Sequence, residues 1–301
     1  MGRNSAIEWT DHTFNPWVGC TAISPACDHC YAEAWAKRTG ALQLWQGDRR
    51  RTSGTNWRQP LKWNREAQDA GVRRRVFCAS LADVFDNQVQ HAWRRDLWAL
   101  IAQTPHLDWL LLTKRPQNIT KFLPDGHDDA PAWGAGWRNV WLGTTIANQA
   151  EAERNVPPLL KTPAACRFLS IEPLLGEVDL LEWLDPTGAC CGCEPEFRCQ
   201  SCPSDADWRG TEGDGFDPCI NWVIVGGESG PHARPMAQDW VSELQEQCEK
   251  YEIPFFFKQW GEHDAEGNRV GKKRSGALLD GREWKEFPFP VASCPNAERT
   301  V

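Results

Sequence analysis

Seven short apolar runs, separated by helix-like stretches, constrain the fold more than anything else in this sequence. They are FNPWVG at 14–19, VFCAS at 76–80, DWLLLT at 108–113, VWLGTT at 140–145, RFLSIE at 167–172, NWVIVG at 221–226 and PFFFK at 254–258. Between them, residues 31–38, 90–103, 149–160 and 239–251 carry the mixed apolar and polar pattern of surface helices. A strand that is apolar almost throughout must be covered on both faces. Its alternation with helices therefore predicts an α/β protein with a parallel sheet. Repeated βα units make a full or partial TIM-like barrel the expected architecture, with a doubly wound open sheet as the alternative.

Three stretches stand outside the repeat. Residues 40–70 are polar and rich in Arg and Trp, and read as an insertion after the first helix. Residues 185–219 form a second insertion, poor in apolar residues and rich in cysteine. The barrel is expected over 1–261, and 262–301 read as a charged C-terminal tail. With 301 residues, 41% of them hydrophobic, the chain has the material for a sizeable core. Most of the 18 tryptophans are expected in packing roles.

A net charge of -8 argues against a protein that coats nucleic acid by charge alone, while leaving room for a locally basic cleft. The basic runs at 49–51, 73–75 and 272–274 read first as solvated surface. No run approaches the roughly 20 apolar residues of a membrane span. The opening MGRNSAIEWT lacks the apolar stretch of a signal peptide, so the expected location is the cytoplasm, with no membrane partner. There, 13 cysteines are expected as metal ligands or free thiols rather than as disulfides.

In a parallel barrel the functional side chains gather where strands end and βα loops begin. Here the runs end in Ser80 and Asp83; in Thr113, Lys114 and Arg115; in Thr144 and Thr145; in Ser170 and Glu172; in Gly226, Gly227 and Glu228; and in Lys258 and Gln259. One such Ser or Thr is an ordinary helix cap. Polar ends on every strand predict a shared active-site rim. Lys114 closes a very apolar strand and needs an anionic partner or a route to solvent, which a carboxylate-bearing ligand would supply. The glycines of GGESG allow a backbone to approach a ligand closely, and Glu172 reads either as a loop carboxylate paired with an arginine or as a ligand contact.

NPWVGCTAISPACDHCYAE, residues 15–33, sets Cys20, Cys27 and Cys30 in a C-x6-C-x2-C loop. Three thiolates suit a metal centre with one open position, such as a cubane cluster whose fourth iron has no protein ligand. The alternative is a zinc site completed by His29 or His12. A second group, Cys190, Cys193, Cys199 and Cys202, reads CxxC-x5-CxxC. Paired knuckles of this kind point to zinc, or to an auxiliary iron–sulfur cluster.

The cysteine loop resembles the opening of the radical S-adenosylmethionine enzymes, in particular the branch of spore photoproduct lyase and the so-called DNA repair photolyases. VFCASLADVFD is similar to the segment of that branch whose serine contacts the bound cofactor, and LLLTKRP to its Thr-Lys strand end. A still nearer resemblance, over residues 7–261, is to a phage-associated family of unassigned function, carried by IEWTD, SIEPLLG, VIVGGESG and PFFFKQWG. The chain departs from the superfamily in its first cysteine gap, six residues rather than three, and in a GGE that follows the sixth strand rather than the second.

The resemblance implies that Cys20, Cys27 and Cys30 hold a [4Fe-4S] cluster and that S-adenosylmethionine binds its fourth iron. An external donor would reduce the cluster, and the cleaved cofactor would yield a 5′-deoxyadenosyl radical. Ser80 and Lys114 are the first candidates for holding the cofactor, followed by Thr144, Gly226 and Gly227. Tyr31, Asp83, Glu172, Glu228 and Lys258 are the candidates for catalytic roles. The expected substrate is a nucleic acid or nucleotide. The competing functions are a zinc-dependent nucleic-acid or protein-binding module, and radical modification of a peptide or small metabolite.

Overall fold

The computed structural model describes residues 2–3, 5–127, 129–184 and 219–288. Seven parallel strands run in sequence order through one sheet: β1 (His12–Phe14), β2 (Arg74–Cys78), β3 (Leu107–Thr113), β4 (Val140–Thr145), β5 (Cys166–Ile171), β6 (Trp222–Gly226) and β7 (Phe255–Gln259). Each strand pairs with the next, as in Phe14 with Cys78 and Leu111 with Leu142. The sheet curls into a partial α/β barrel, and β1 and β7 are not paired with each other.

Side-chain parity separates the two faces. Val76, Leu111, Leu142, Leu169, Val223 and Phe257 belong to the larger core, together with residues of α2 (Gln59–Asp69), α3 (His91–Ala102), α4 (Gln149–Leu160) and α5 (Gln238–Lys250). Phe77, Leu110, Trp141, Phe168, Trp222 and Phe256, one position out of phase with these, form a second cluster on the other face. No helix contributes to that inner cluster. It is completed by Trp9, 4.7 Å from Phe77 and 6.3 Å from Trp222 between ring centroids, and by Phe287, 5.5 Å from Trp222. Gly143 makes room for Phe168, since a Cβ there would sit 2.5 Å from the ring. These aromatics lie toward the starts of the strands and close the inner face below with a dry floor.

The edges are covered. Gly2–Arg3 pairs antiparallel with β1, and residues 284–286 run along β7, with Phe257 N–H donating to the Trp284 carbonyl at 2.9 Å. The floor also bridges the open side, where the Arg75 guanidinium lies 3.8 Å over the Phe287 ring and Lys285 pairs with Glu8 at 2.7 Å. Residues of the stretch read as a tail therefore pack against the sheet.

One sequence expectation needs correction. The first strand is His12–Phe14, not 14–19; Trp17–Val18 pairs instead with Arg50–Arg51 in a separate ribbon. Pro16 has no N–H to continue the ladder, and the chain turns away there. The stretch 40–70, read as an insertion, contains α2, which buries Trp63 and Ala67 against the sheet. The sequence range given for the cysteine-rich insertion lies almost wholly outside the described residues. No described helix is long and apolar enough to cross a membrane.

Candidate active site

The loop between Val18 and α1 (Tyr31–Arg38) carries the three cysteines at the carboxyl ends of the strands. Gly19, at φ +124°, sets its direction. A Cβ there would sit 2.6 Å from the Asp48 carbonyl oxygen and 2.8 Å from that of Leu44, so both the backbone angle and the space demand glycine. A 3-10 turn, Pro25–Cys27, follows, capped by Ser24. Cys30 then stands at the N-cap of α1. Cys20, Cys27 and Cys30 are free and half-buried.

Three arginines reach this loop. Arg49, paired with buried Asp86 at 2.6 Å, donates to Thr21 Oγ1 at 2.9 Å. Arg115 and Arg234 donate to loop carbonyls, each held by a carboxylate. The first carboxylate is Asp83, which is buried. Its Oδ1 accepts from Phe85 N–H at 2.9 Å and Thr113 Oγ1 at 2.8 Å; its Oδ2 accepts from Arg115 Nη1 at 3.0 Å and Lys114 N–H at 3.2 Å. Arg115 then reaches forward, donating through Nη2 to the Thr21 carbonyl at 2.9 Å and through Nη1 to Cys20 Sγ at 3.7 Å. Burial, with the Asp83 charge adding to it, pushes the Cys20 thiol up to about 11 against the pull of Arg115.

The second carboxylate is Glu228, from the GGE after β6. Its Oε2 accepts from His29 Nδ1 at 2.9 Å, Arg234 N–H at 2.8 Å and Arg234 Nε at 3.0 Å, and its Oε1 from Arg234 Nη2 at 2.7 Å. Three of these donors converge on Oε2 and one reaches Oε1. Burial opposes ionisation, but the bonds from Arg234 and His29 hold the group down at about 2. Arg234 also donates to the Pro25 carbonyl at 2.9 Å and to Asp28 at 3.1 Å. These contacts join the first and sixth βα loops across the side of the barrel where no strands pair.

On the inner wall above the floor, strand parity puts Lys114, Thr145, Ser170, Glu172, Gly226 and Lys258. Lys258 Nζ pairs with Glu172 Oε1 at 2.7 Å, and Ser170 Oγ donates to Glu172 Oε2 at 3.4 Å. A Cβ on Gly226 would lie 2.9 Å from that Glu172 oxygen, and one on Gly227 would strike the Trp260 backbone. Gly227 is thus required by the chain's own backbone packing, while at Gly226 a side chain would displace the Glu172 carboxylate. The Lys114 ammonium has no partner among the described residues. Ser80 accepts at Oγ from Asn15 Nδ2 at 2.9 Å, and its carbonyl accepts from the exposed Tyr31 hydroxyl at 2.6 Å. Thr144 faces the helical side, donating to the Thr113 carbonyl at 3.1 Å, and so stands apart from the others.

The structure brings Tyr31, Ser80, Asp83, Glu172, Glu228 and Lys258 to the rim with the cysteine loop. Sequence reasoning missed Asn15, which ties the first two strand ends together, and Arg234, which nothing in its local pattern marks. The two histidines weighed as fourth zinc ligands are both engaged: His29 with Glu228, and His12 buried in a stack on Trp63 at 4.4 Å. Cys190, Cys193, Cys199 and Cys202 lie outside the described residues.

Among the described residues, no three or more His, Cys, Asp or Glu side chains converge as a single metal ion requires. A cubane cluster makes a different demand, for separate thiolates around one opening. Three thiols on one half-buried loop, whose only carboxylate, Asp28, is paired with Arg234, are of the donor type an iron–sulfur cluster takes.

No curated protein and no solved structure matches the chain. The profile of a family described as "Protein of unknown function (DUF5131)" matches residues 4–288. That match covers nearly the whole sequence, and the chain belongs to the DUF5131 family.

Proposed function

We propose that this protein is a radical S-adenosylmethionine enzyme acting on a nucleic acid or nucleotide. The observation that carries the reading is the position of the three free thiols, on the loop after the first strand of a partial βα barrel and at its carboxyl rim. Cys20, Cys27 and Cys30 would hold a [4Fe-4S] cluster, and metal would replace the proton that burial keeps on Cys20. A cluster held there would supply, once reduced by an external donor, the one-electron chemistry that cleaves S-adenosylmethionine.

The chain's own residues then have distinct tasks. Lys114, an ammonium without a partner among the described residues, binds the carboxylate of the ligand. Ser80, steadied by Asn15, lines the same mouth. Glu172 and Lys258 form a half-buried pair on the inner wall and orient the polar part of the substrate. The aromatic floor of Trp9, Trp222, Phe168 and Phe287 keeps water from entering below. Asp83, with donors filling both oxygens, and Glu228, with three donors on Oε2 and one on Oε1, act through the arginines they hold. In the cysteine-rich insertion, Cys190, Cys193, Cys199 and Cys202 would bind zinc or an auxiliary cluster.

The test is anaerobic purification with iron, sulfide and zinc counts, on the natural chain beside a variant with Cys20, Cys27 and Cys30 all changed to alanine. A brown protein with about four irons that the variant loses supports the reading. Equal iron in the two proteins, or none in either after reconstitution, sinks it.

A further inference from the structure

Both ends of the cysteine loop are held by the same device. An arginine paired with a multiply bonded carboxylate donates an Nη2 hydrogen to a loop carbonyl at 2.9 Å, Arg115 to Thr21 beside Cys20 and Arg234 to Pro25, two residues before Cys27. His29, between Cys27 and Cys30, is bound to the same Glu228 that holds Arg234. Backbone bonds also tie the Cys20 end, from Gly19 N–H to the Leu81 carbonyl at 3.0 Å and from Cys20 N–H to the Leu44 carbonyl at 3.1 Å. Those accepted or donated at Cys27 and Cys30 stay within the loop and its helix and do not fix that half relative to the sixth βα loop.

We propose that Asp83–Arg115 and Glu228–Arg234 are two positioning struts that set the spread and direction of the three thiols, an inference that rests on the cluster reading above. The first fixes the Cys20 end against the loops after β2 and β3. The second fixes the Cys27–Cys30 end from the far side of the open barrel. Glu228 thus has a role other than binding a ligand. The six-residue gap between Cys20 and Cys27 gives the second arginine a carbonyl to hold. Arg115 adds a hydrogen bond to the Cys20 sulfur itself, a contact of the kind that tunes the reduction potential of an iron–sulfur cluster.

The experiment uses the full chain with Arg234→Ala, Arg234→Lys and Glu228→Gln, and reads two quantities. In iron-free protein, maleimide labelling rates at Cys27 and Cys30 are followed by peptide mass spectrometry, with buried Cys78 and Cys248 reporting that the fold is intact. In iron-loaded protein, the electron paramagnetic resonance spectrum of the reduced cluster is recorded. Arg234→Ala should speed labelling at Cys27 and Cys30 about tenfold, as loss of a charge-assisted contact implies, with Cys78 and Cys248 unchanged. Its cluster signal should broaden, and Arg234→Lys should restore part of both. Labelling rates and spectra that match the natural chain in all three folded variants overturn the struts and leave the cluster reading standing. Faster labelling in a protein that takes up no iron supports the struts as holders of the loop and removes the cluster reading.

Discussion

The two struts share their chemistry but not their surroundings. Asp83 and Arg115 come from the loops after neighbouring strands β2 and β3, and their side chains are 6% and 10% exposed. Glu228 and Arg234 come from one loop after β6, with the arginine 32% exposed. Where the sheet is continuous, the strut has sunk into the core and shares its bonds with Thr113 and the strand backbone. Where the sheet is open, no ladder joins the two loops, and the strut itself spans the gap to Pro25 and Asp28. Burial turns one set of bonds into part of the fold. Exposure leaves the other as a local fastening.

The largest expected effect therefore falls on the first strut. Asp83→Asn leaves the Arg115 guanidinium buried without its counter-charge, at a cost of about 3–5 kcal/mol. In a domain of this size that should lower Tm by roughly 10 °C, measured by differential scanning calorimetry on the iron-free chain. A shift under about 2 °C would show that Arg115 finds solvent or another acceptor, and the contrast between the struts would dissolve.

Glu228→Gln tests the other side of the comparison. The natural carboxyl is held at about 2, below its ordinary 4.5, by Arg234 and His29, against the burial that would raise it. A depressed folded-state value means that the carboxylate's contribution to stability is complete above about pH 5 and is lost as the pH falls toward about 2. In Glu228→Gln, urea midpoints measured across that window should fall less steeply with pH than in the natural chain. The effect at neutral pH should stay below that of Asp83→Asn, because Arg234 retains water on its open side. Parallel pH profiles would mean that the carboxylate is not held in its charged form by these partners.

What the sequence made legible follows the same division between local and distant. The run at 140–145 corresponds to the strand Val140–Thr145 and the helical stretch at 149–160 to Gln149–Leu160, because period and composition act over neighbouring residues. The helix Gln59–Asp69 was hidden by its polar composition, although Pro60, Trp63, Asn64 and Ala67 mark a buried stripe at helical spacing. Strand-end chemistry was visible at Lys114, Glu172 and Lys258 because period-two parity carries them above the apolar floor. Thr144 shows the limit of that signal, since its neighbour Thr145 has the inward parity. The struts were not legible. Arg234 lies 206 residues from Asp28 and 209 from Pro25, and only the curl of the sheet brings them together.

The smallest expected effect sharpens which bond of the second strut matters. Asp28 also pairs with Arg234, at 3.1 Å, but its side chain is 58% exposed. Solvent and salt screen such a pair, so Asp28→Asn should change stability by no more than about 0.5 kcal/mol. Arg234 keeps both Glu228 oxygens and the Pro25 carbonyl in that variant, so thiol labelling at Cys27 and Cys30 should match the natural chain. If Asp28→Asn instead loosens the loop as much as Arg234→Ala, the charge at Asp28 is the anchor and Glu228 a bystander. If it does not, the arginine holds the loop through the backbone carbonyl, a bond that depends on chain geometry rather than on a second side chain.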